Sequence, residues 1–145
     1  MTGHHFVWLG LSLLASGCGK FQQARECGSF VKTVNEWLAR SSEASTADAG
    51  PTGDPKRVAE ESRRTARNYE ELAKSLAALH VQNEDLAPRV QRYEEIATAA
   101  TVALRDVADA VEHGDLEKAR QKRVEFDSVA QREAPLVKEI NGLCR

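Results

Sequence analysis

The histidines and cysteines are the residues of this chain that could hold a metal ion or a haem. A di-iron site in a helical bundle needs Glu-x-x-His on two helices, and this spacing does not occur in the sequence. His80 is followed by Glu84 and His113 by Glu117, and each pair is one residue too far apart for that motif. Covalent haem attachment needs Cys-x-x-Cys-His, which is absent, and Met1 is the one methionine. We therefore expect no metal and no cofactor, and we expect both histidines to interact with carbonyl groups near helix ends.

Serines and paired carboxylates are the other residues that could do chemistry. The serines of residues 41–45 lie in a stretch of small and polar residues, where turn formation explains them better than catalysis. Three pairs of adjacent glutamates resemble paired carboxylates: Glu60-Glu61, Glu70-Glu71 and Glu94-Glu95. Adjacent positions on a helix point in different directions, so solvated helix faces account for these pairs. No nucleophile, base and orienting group stand in a recognisable arrangement, and we predict no catalytic residues and no enzyme activity.

The charge of the chain bears on its partners. The net charge is −2, whereas a nucleic-acid binder usually carries a strong basic excess, so we expect no nucleic-acid partner. One basic cluster could contact anionic headgroups or a partner protein: Lys118, Arg120, Lys122 and Arg123. The alternative interpretation is a solvated face, since Glu117 and Glu125 lie beside it.

The amino-terminal segment has the pattern of an export signal. Met1 to Gly17 contain no Asp, Glu, Lys or Arg, and Phe6 to Ala15 form an apolar run broken only by Gly10 and Ser12. A membrane-spanning helix needs roughly 20 apolar residues, so this run is too short to span but fits the apolar region of a signal peptide.

The residues that follow, Leu14-Ala15-Ser16-Gly17-Cys18, resemble the lipobox of bacterial lipoprotein precursors. That family has a small residue directly before an invariant cysteine, as Gly17 is here. It prefers leucine three residues before the cysteine, where this chain has Ala15, with Leu14 one position earlier. The resemblance covers the signal and Cys18 and no part of the mature domain.

The resemblance implies how the protein is processed and where it is located. The signal, residues 1–17, would be removed, and Cys18 would carry a diacylglyceryl group and an acylated amino group. Three acyl chains hold a protein far more firmly than one, since each buried CH₂ contributes about 0.8 kcal/mol. The implied location is the bacterial cell envelope facing the periplasm. Glycine rather than aspartate at position 19 favours the outer membrane over the inner one.

Lipidation of Cys18 would leave two of the three cysteines, Cys27 and Cys144, in a compartment where disulfides persist. Their spacing differs from Cys-x-x-Cys, which disfavours a thioredoxin-like redox centre. We predict a structural Cys27–Cys144 disulfide. Two buried free thiols that pack as small hydrophobic side chains are the alternative.

The mature chain, residues 18–145, reads as one helical domain. The 145 residues suit a single core, alanine is frequent, and aromatic residues make up only 6%. Apolar residues recur at three- and four-residue steps and predict four helices at about residues 20–41, 55–83, 85–113 and 115–142. The predicted inward stripes are Cys27, Phe30, Val31, Val34, Trp37 and Leu38; Val58, Ser62, Thr65, Tyr69, Leu72, Leu76 and Leu79; Leu86, Val90, Tyr93, Ala97, Ala100, Leu104, Val107 and Val111; and Leu116, Ala119, Phe126, Val129, Ala130, Leu136, Val137, Ile140 and Leu143.

Turn residues divide these helices. Residues 42–54 are small, polar and rich in Gly and Pro, which predicts a mobile loop. Asp54-Pro55 suits the N-cap and first position of a helix, and Gly114-Asp115 suits the end of one helix and the cap of the next. Pro135 lies inside the fourth helix and predicts a kink or break there.

These elements predict an all-α fold, an antiparallel up-down-up-down four-helix bundle. Two functions fit such a domain. One is a non-enzymatic, lipid-anchored envelope protein that acts as a structural module or binds a partner protein through a helical face. The other is a carrier or sensor that binds a small ligand between helices, beside small core residues such as Ala97, Ala100, Ser62 and Thr65. The sequence leaves the ligand, the partner and the oligomeric state open.

Overall fold

The computed structural model describes residues 16–46 and 54–145, and these residues fold into α-helices without any strand. The five helices are α1 (Ser16–Thr46), α2 (Pro55–Ala77), α3 (Ala87–Glu112), α4 (Leu116–Ala130) and α5 (Glu133–Leu143). The predicted all-α class is confirmed. The helices pack against one another as a bundle, in which α4 and α5 together take the place of the predicted fourth helix.

Several helix ends follow the local sequence. The Asp54 side chain accepts a hydrogen bond from the Lys56 amide at the start of α2, with Pro55 in the first turn. Asp115 caps α4 in the same way, by accepting from the Lys118 amide at 3.0 Å. Gly114 has a φ of 71°, a left-handed conformation that glycine adopts without steric cost. The predicted caps at residues 54 and 115 are therefore confirmed.

The first helix is longer than the sequence predicts. α1 extends from Ser16 to Thr46 rather than over residues 20–41, so residues 42–46 of the predicted loop are helical. Small polar residues such as Ser42 tolerate a helix, and the Ser42 hydroxyl donates to the Ala39 carbonyl one turn back. Residues 47–53 of the predicted mobile loop lie outside the described residues.

The second helix is shorter than predicted, and a tertiary contact holds the last residues of its predicted range outside the helix. α2 ends at Ala77 rather than at residue 83, and residues 78–86 form a connecting segment. The backbone amides of Gln82 and Asn83 donate to the carboxylate of Glu26 in α1, so they are not available to extend a helix. The Asn83 side chain in turn accepts from the Leu86 amide at 2.9 Å, just before α3 begins.

The predicted break in the fourth helix is confirmed. α4 ends at Ala130 and α5 begins at Glu133, so Pro135 lies in the first turn of α5. Proline is tolerated in a first turn, where its missing N–H costs no helical hydrogen bond. The break therefore falls at residues 131–132, three residues before the proline.

The core consists of two clusters of buried residues. The larger one includes Cys27 and joins all the helices, and the smaller one lies near the α3–α4 turn. The predicted stripe of α3 is buried throughout, and α2 and α3 make the most extensive interhelical contact. α1 packs mainly on α2, through a narrower stripe than predicted. Four residues predicted to face inward are exposed instead: Val31, Leu38, Val58 and Leu116. The helical period placed them at the margins of the stripes, where no neighbouring helix covers them.

Candidate functional site

The disulfide joins α1 to the carboxyl-terminal end of the described fold. Cys27 and Cys144 are bonded, with their Cα atoms 5.6 Å apart, as the sequence predicts. Cys27 is buried, and nearby the Gln23 side chain donates to the Leu143 carbonyl at 2.9 Å. A surface cleft of about 360 Å³ lies against this bond and is bordered by Lys20 and Arg145. Two independent contacts thus fix the early part of α1 to the last residues of the bundle.

Glu26 is a buried carboxylate beside the disulfide. Its side chain is 7% exposed and accepts hydrogen bonds from Gln22 at 2.9 Å and from the backbone amides of Gln82 at 3.2 Å and Asn83 at 3.0 Å. Burial alone would raise the pKa of Glu26. The hydrogen bonds, together with the charge of Arg25, outweigh that effect and hold the pKa below its usual value. Glu26 is therefore an ionised latch between α1 and residues 78–86.

A second polar group lies within the core, where Tyr69 and Tyr93 interact with Glu133. The Tyr93 hydroxyl donates to the Glu133 carboxylate, and Tyr93 is almost fully buried. Burial, and then the charge of Glu133, raise the pKa of Tyr69 to about 12. Burial and the hydrogen bond to Glu133 also raise the pKa of Tyr93. Because Glu133 opens α5, the break at residues 131–132 brings this carboxylate to both tyrosines.

Aromatic rings continue from this group through the bundle. Trp37 lies 5.3 Å from Tyr69 between ring centroids, and Phe30 lies 5.9 Å from Tyr93. The indole N–H of Trp37 donates to the Asn68 carbonyl at 2.9 Å. Trp37 and Phe30 are buried with their neighbours, so they are core residues, as predicted, rather than a platform for a ligand.

The two histidines of the described residues are engaged by the backbone. Nδ1 of His80 lies 2.9 Å from the Ala78 carbonyl oxygen, and Nδ1 of His113 lies 2.7 Å from the Asp109 carbonyl oxygen. A carbonyl oxygen only accepts, so in each ring this nitrogen carries the proton. The predicted interaction of both histidines with carbonyls is confirmed. Within residues 16–46 and 54–145, no three His, Cys, Asp or Glu side chains are grouped as metal ligands.

The predicted basic cluster forms ion pairs along α4. Lys122 contacts Asp106 at 3.3 Å and Glu125 at 2.8 Å, and Arg123 contacts Asp127 while its guanidinium lies over the Phe126 ring. Most of these side chains are exposed, and exposed pairs contribute about 0–1 kcal/mol each. This arrangement favours the interpretation as a solvated face.

The small core residues that could border a ligand are packed against other helices. Ala97 and Ala100 are fully buried, Ser62 is 7% exposed, and Thr65 is half-buried. The Thr101 hydroxyl donates to the Ala97 carbonyl at 2.9 Å within α3. Since α2 and α3 make the largest contact in the bundle, these small side chains serve close helix packing.

Sequence reasoning missed Glu26 and the group formed by Tyr69, Tyr93 and Glu133. One signal was available for Glu26. It is the first acidic residue of α1, and it lies directly before Cys27 on the side of the helix that faces inward. No comparable signal marks Glu133, because its neighbours are brought to it only by the break in the fourth helix.

Cys18 lies in the first turn of α1, whereas residues 1–15 of the predicted signal peptide lie outside the described residues. Within the described parts of the chain, no helix is both long enough and apolar enough to cross a bilayer. Comparison with known proteins finds no matching family model, no matching curated protein and no matching solved structure.

Proposed function

We propose that this protein is a non-enzymatic lipoprotein of the bacterial envelope, anchored through acyl chains on Cys18 and facing the periplasm, on the outer membrane rather than the inner one. The observation that carries the proposal is the Cys27–Cys144 disulfide. Structural disulfides persist in oxidising compartments such as the periplasm and are rare in the cytosol. The bond also leaves Cys18, the cysteine that follows the lipobox-like sequence, as the one cysteine outside the pair.

For the mature domain we propose an up-down-up-down bundle whose fourth helix is the α4–α5 pair. Trp37 in α1 contacts Asn68 in α2, whereas Glu26, earlier in α1, contacts Asn83 beyond the end of α2. Rising residue numbers in one helix thus meet falling numbers in the next, which is the pattern of antiparallel neighbours.

Contacts of the later helices support the same antiparallel pattern. Lys122 in α4 contacts Asp106 in the second half of α3. Glu133 in α5 contacts Tyr93 in the first half of α3. These contacts support an antiparallel pairing of α3 with α4 and α5.

The proposed role of the domain is structural, or the binding of an envelope protein through a helical face. The polar groups of the core support it, because Glu26, Glu133 and both tyrosines have partners that join helices to one another. The packing at Ala97 and Ala100 argues against a carrier that binds a small ligand at those residues.

Mass spectrometry of the protein extracted from membranes of an expressing bacterium tests the anchor. We expect a mature chain that begins at a triacylated Cys18 and a two-proton mass increase on reduction of the disulfide. The matched control is Cys18→Ala, which we expect to lose the acyl chains and the membrane association. An unmodified Cys18, or full recovery of the parent protein in the soluble periplasmic fraction, would contradict the proposal. Crosslinking in whole cells, compared with a lipoprotein of unrelated fold, then identifies any partner.

A further inference from the structure

We propose that the end of the bundle that carries the disulfide rests directly on the bilayer surface, with the Phe21 ring in the headgroup region. This inference rests on the proposed lipidation of Cys18. It adds an orientation to the anchor, since one defined end of the domain faces the lipid and the other projects away from it.

The anchor position and the bundle are joined by a helix rather than by a flexible linker. α1 is continuous from Ser16, so Cys27 lies nine positions after Cys18 in the same helix, about 14 Å along its axis at 1.5 Å per residue. Gln22 and Gln23 already make contacts outside α1, with the side chain of Gln82 and the carbonyl of Leu143. Only about one turn of helix lies between Cys18 and the fixed part of α1. A flexible linker would let the domain move away from the membrane, whereas this rigid one holds it close.

Phe21 is an exposed aromatic residue close to the anchor position. Its side chain is 75% exposed, the highest value among the large apolar side chains of the described residues. Positions 18 and 21 are three residues apart, so they lie on the same face of α1. Phe21 lies on the face of the acylated residue and about 4.5 Å from it along the helix axis. An apolar ring at this position gains by leaving water for the headgroup boundary.

Positively charged side chains lie at this end of the bundle. Lys20 and Arg25 flank Phe21, and Arg145 borders the same cleft as Lys20. Residues 16–25 contain no carboxylate, and the next acidic residue, Glu26, is turned inward to the backbone amides. Lys20 and Arg145 are therefore placed to contact lipid phosphates, whereas the charge of Arg25 also acts on Glu26.

Two exposed carboxylates also lie near this end, on the connecting segment of residues 78–86: Glu84 and Asp85. They belong to a different element from the cations, which are on α1 and at Arg145. The surface formed by α1 and residues 143–145 is therefore the one that suits a phospholipid bilayer.

The proposed orientation places the end of the bundle with the α3–α4 turn far from the lipid. α3 has 26 residues and is about 39 Å long, so the α3–α4 turn at Gly114 stands roughly that far from the lipid. The exposed Leu116 and a surface cavity of about 550 Å³ between Lys56 and Val111 lie at that end and are open to the periplasm.

Depth-dependent fluorescence quenching tests the orientation. The mature chain, beginning at Cys18, is coupled through the Cys18 thiol to a maleimide phospholipid in phosphatidylcholine vesicles that contain brominated acyl chains. Trp37 supplies the common background, and Phe21→Trp is compared with Leu116→Trp as the matched distal control. Both positions are exposed, and circular dichroism verifies that both variants keep the parent's helical signal.

We expect the added emission of Phe21→Trp to shift to the blue and to lose most of its intensity in brominated vesicles. The fluorescence intensity of the new tryptophan in Leu116→Trp, after subtraction of the Trp37 signal, should be the same in brominated and unbrominated vesicles. Equal quenching at both positions, or no quenching at position 21, would overturn the proposed orientation. The lipid is attached chemically in this experiment, so the result does not depend on acylation in cells. The quenching experiment therefore tests the orientation, and the mass of Cys18 separately tests the proposed lipidation.

Discussion

Removal of the disulfide should weaken the attachment of α1 more than any other part of the fold. The perturbation is the double substitution Cys27→Ala and Cys144→Ala in a Cys18→Ser background, so that no free thiol remains. Alanine is chosen because Cys27 is 5% exposed, and serine there would bury a hydroxyl that has no assured partner.

The size of the effect follows from the length of chain that the bond closes. The two cysteines are 117 positions apart, and closing a loop of that size contributes about 5 kcal/mol in the chain-entropy model. Loss of a native disulfide from a small exported domain typically costs about 2–5 kcal/mol, and we expect a loss in that range. The Glu26 latch and the packing of Trp37 on Tyr69 remain, so α1 should loosen rather than separate.

Guanidinium unfolding followed by circular dichroism measures the free energy of unfolding, and hydrogen exchange locates the change. Amides of α1 near residues 20–30 should lose more protection than those of α2 and α3, which keep their large mutual contact. Chemical reduction of the parent should reproduce both results, and the exposed pair Asn35→Ala with Asn141→Ala serves as the control. A free energy of unfolding within about 0.5 kcal/mol of the parent, the range of surface substitutions, would refute the reasoning.

Three further predictions concern the interior. Glu26→Gln should lower the free energy of unfolding by about 1–3 kcal/mol at neutral pH, because an amide NH₂ would face an N–H donor. Because the pKa of Glu26 is lowered in the folded state, its ionisation stabilises the fold fully above the ordinary carboxyl pKa, and this stabilisation is lost as the pH falls through the pKa of the folded state. The difference in free energy of unfolding between the parent and Glu26→Gln should therefore shrink in acid. In an alkaline absorbance titration, Tyr69 and Tyr93 should stay neutral beyond pH 10, because the pKa of each is raised. The stabilising effect of the raised pKa of Tyr69 is complete below the ordinary tyrosine pKa and should be lost as the pH rises through about 12. Leu72→Ala should cost about 2–5 kcal/mol in urea unfolding, whereas Val102→Ala at an exposed position should cost about 0.5 kcal/mol or less.

Each of these has an opposing outcome. A Glu26→Gln variant with the same pH profile as the parent would show that the carboxylate is not ionised in the folded state. Tyrosinate absorbance near pH 10 while the helical signal is intact would place the hydroxyls in water rather than at Glu133. Equal losses for Leu72→Ala and Val102→Ala would contradict the assigned core.

The helices and their caps could be predicted because their causes are local. Asp54 and Asp115 accept from amides two or three residues ahead, and Gly114 needs only its own backbone freedom. The stripe of α3 was correct throughout, since neighbouring helices cover it along its length. For α1 the same periodicity included Val31 and Leu38, which are exposed. The spacing of apolar residues shows which side of a helix faces inward, but it does not show how wide a strip of that side a neighbouring helix covers.

The sequence by itself determined the helical class and the break near Pro135, and it predicted the Cys27–Cys144 disulfide with two buried free thiols as the alternative. Only the tertiary structure decided that residues 82 and 83 lie outside α2, because Glu26 accepts from their backbone amides, which lie 56 and 57 positions later in the chain. It also decided that Glu133 meets Tyr69 and Tyr93. A sequence pattern reports conformational preferences over a few turns of helix. These hydrogen bonds join polar groups that become neighbours only when the helices pack. Once the groups are buried, each one needs a hydrogen-bond partner, because a buried polar group without a partner is costly.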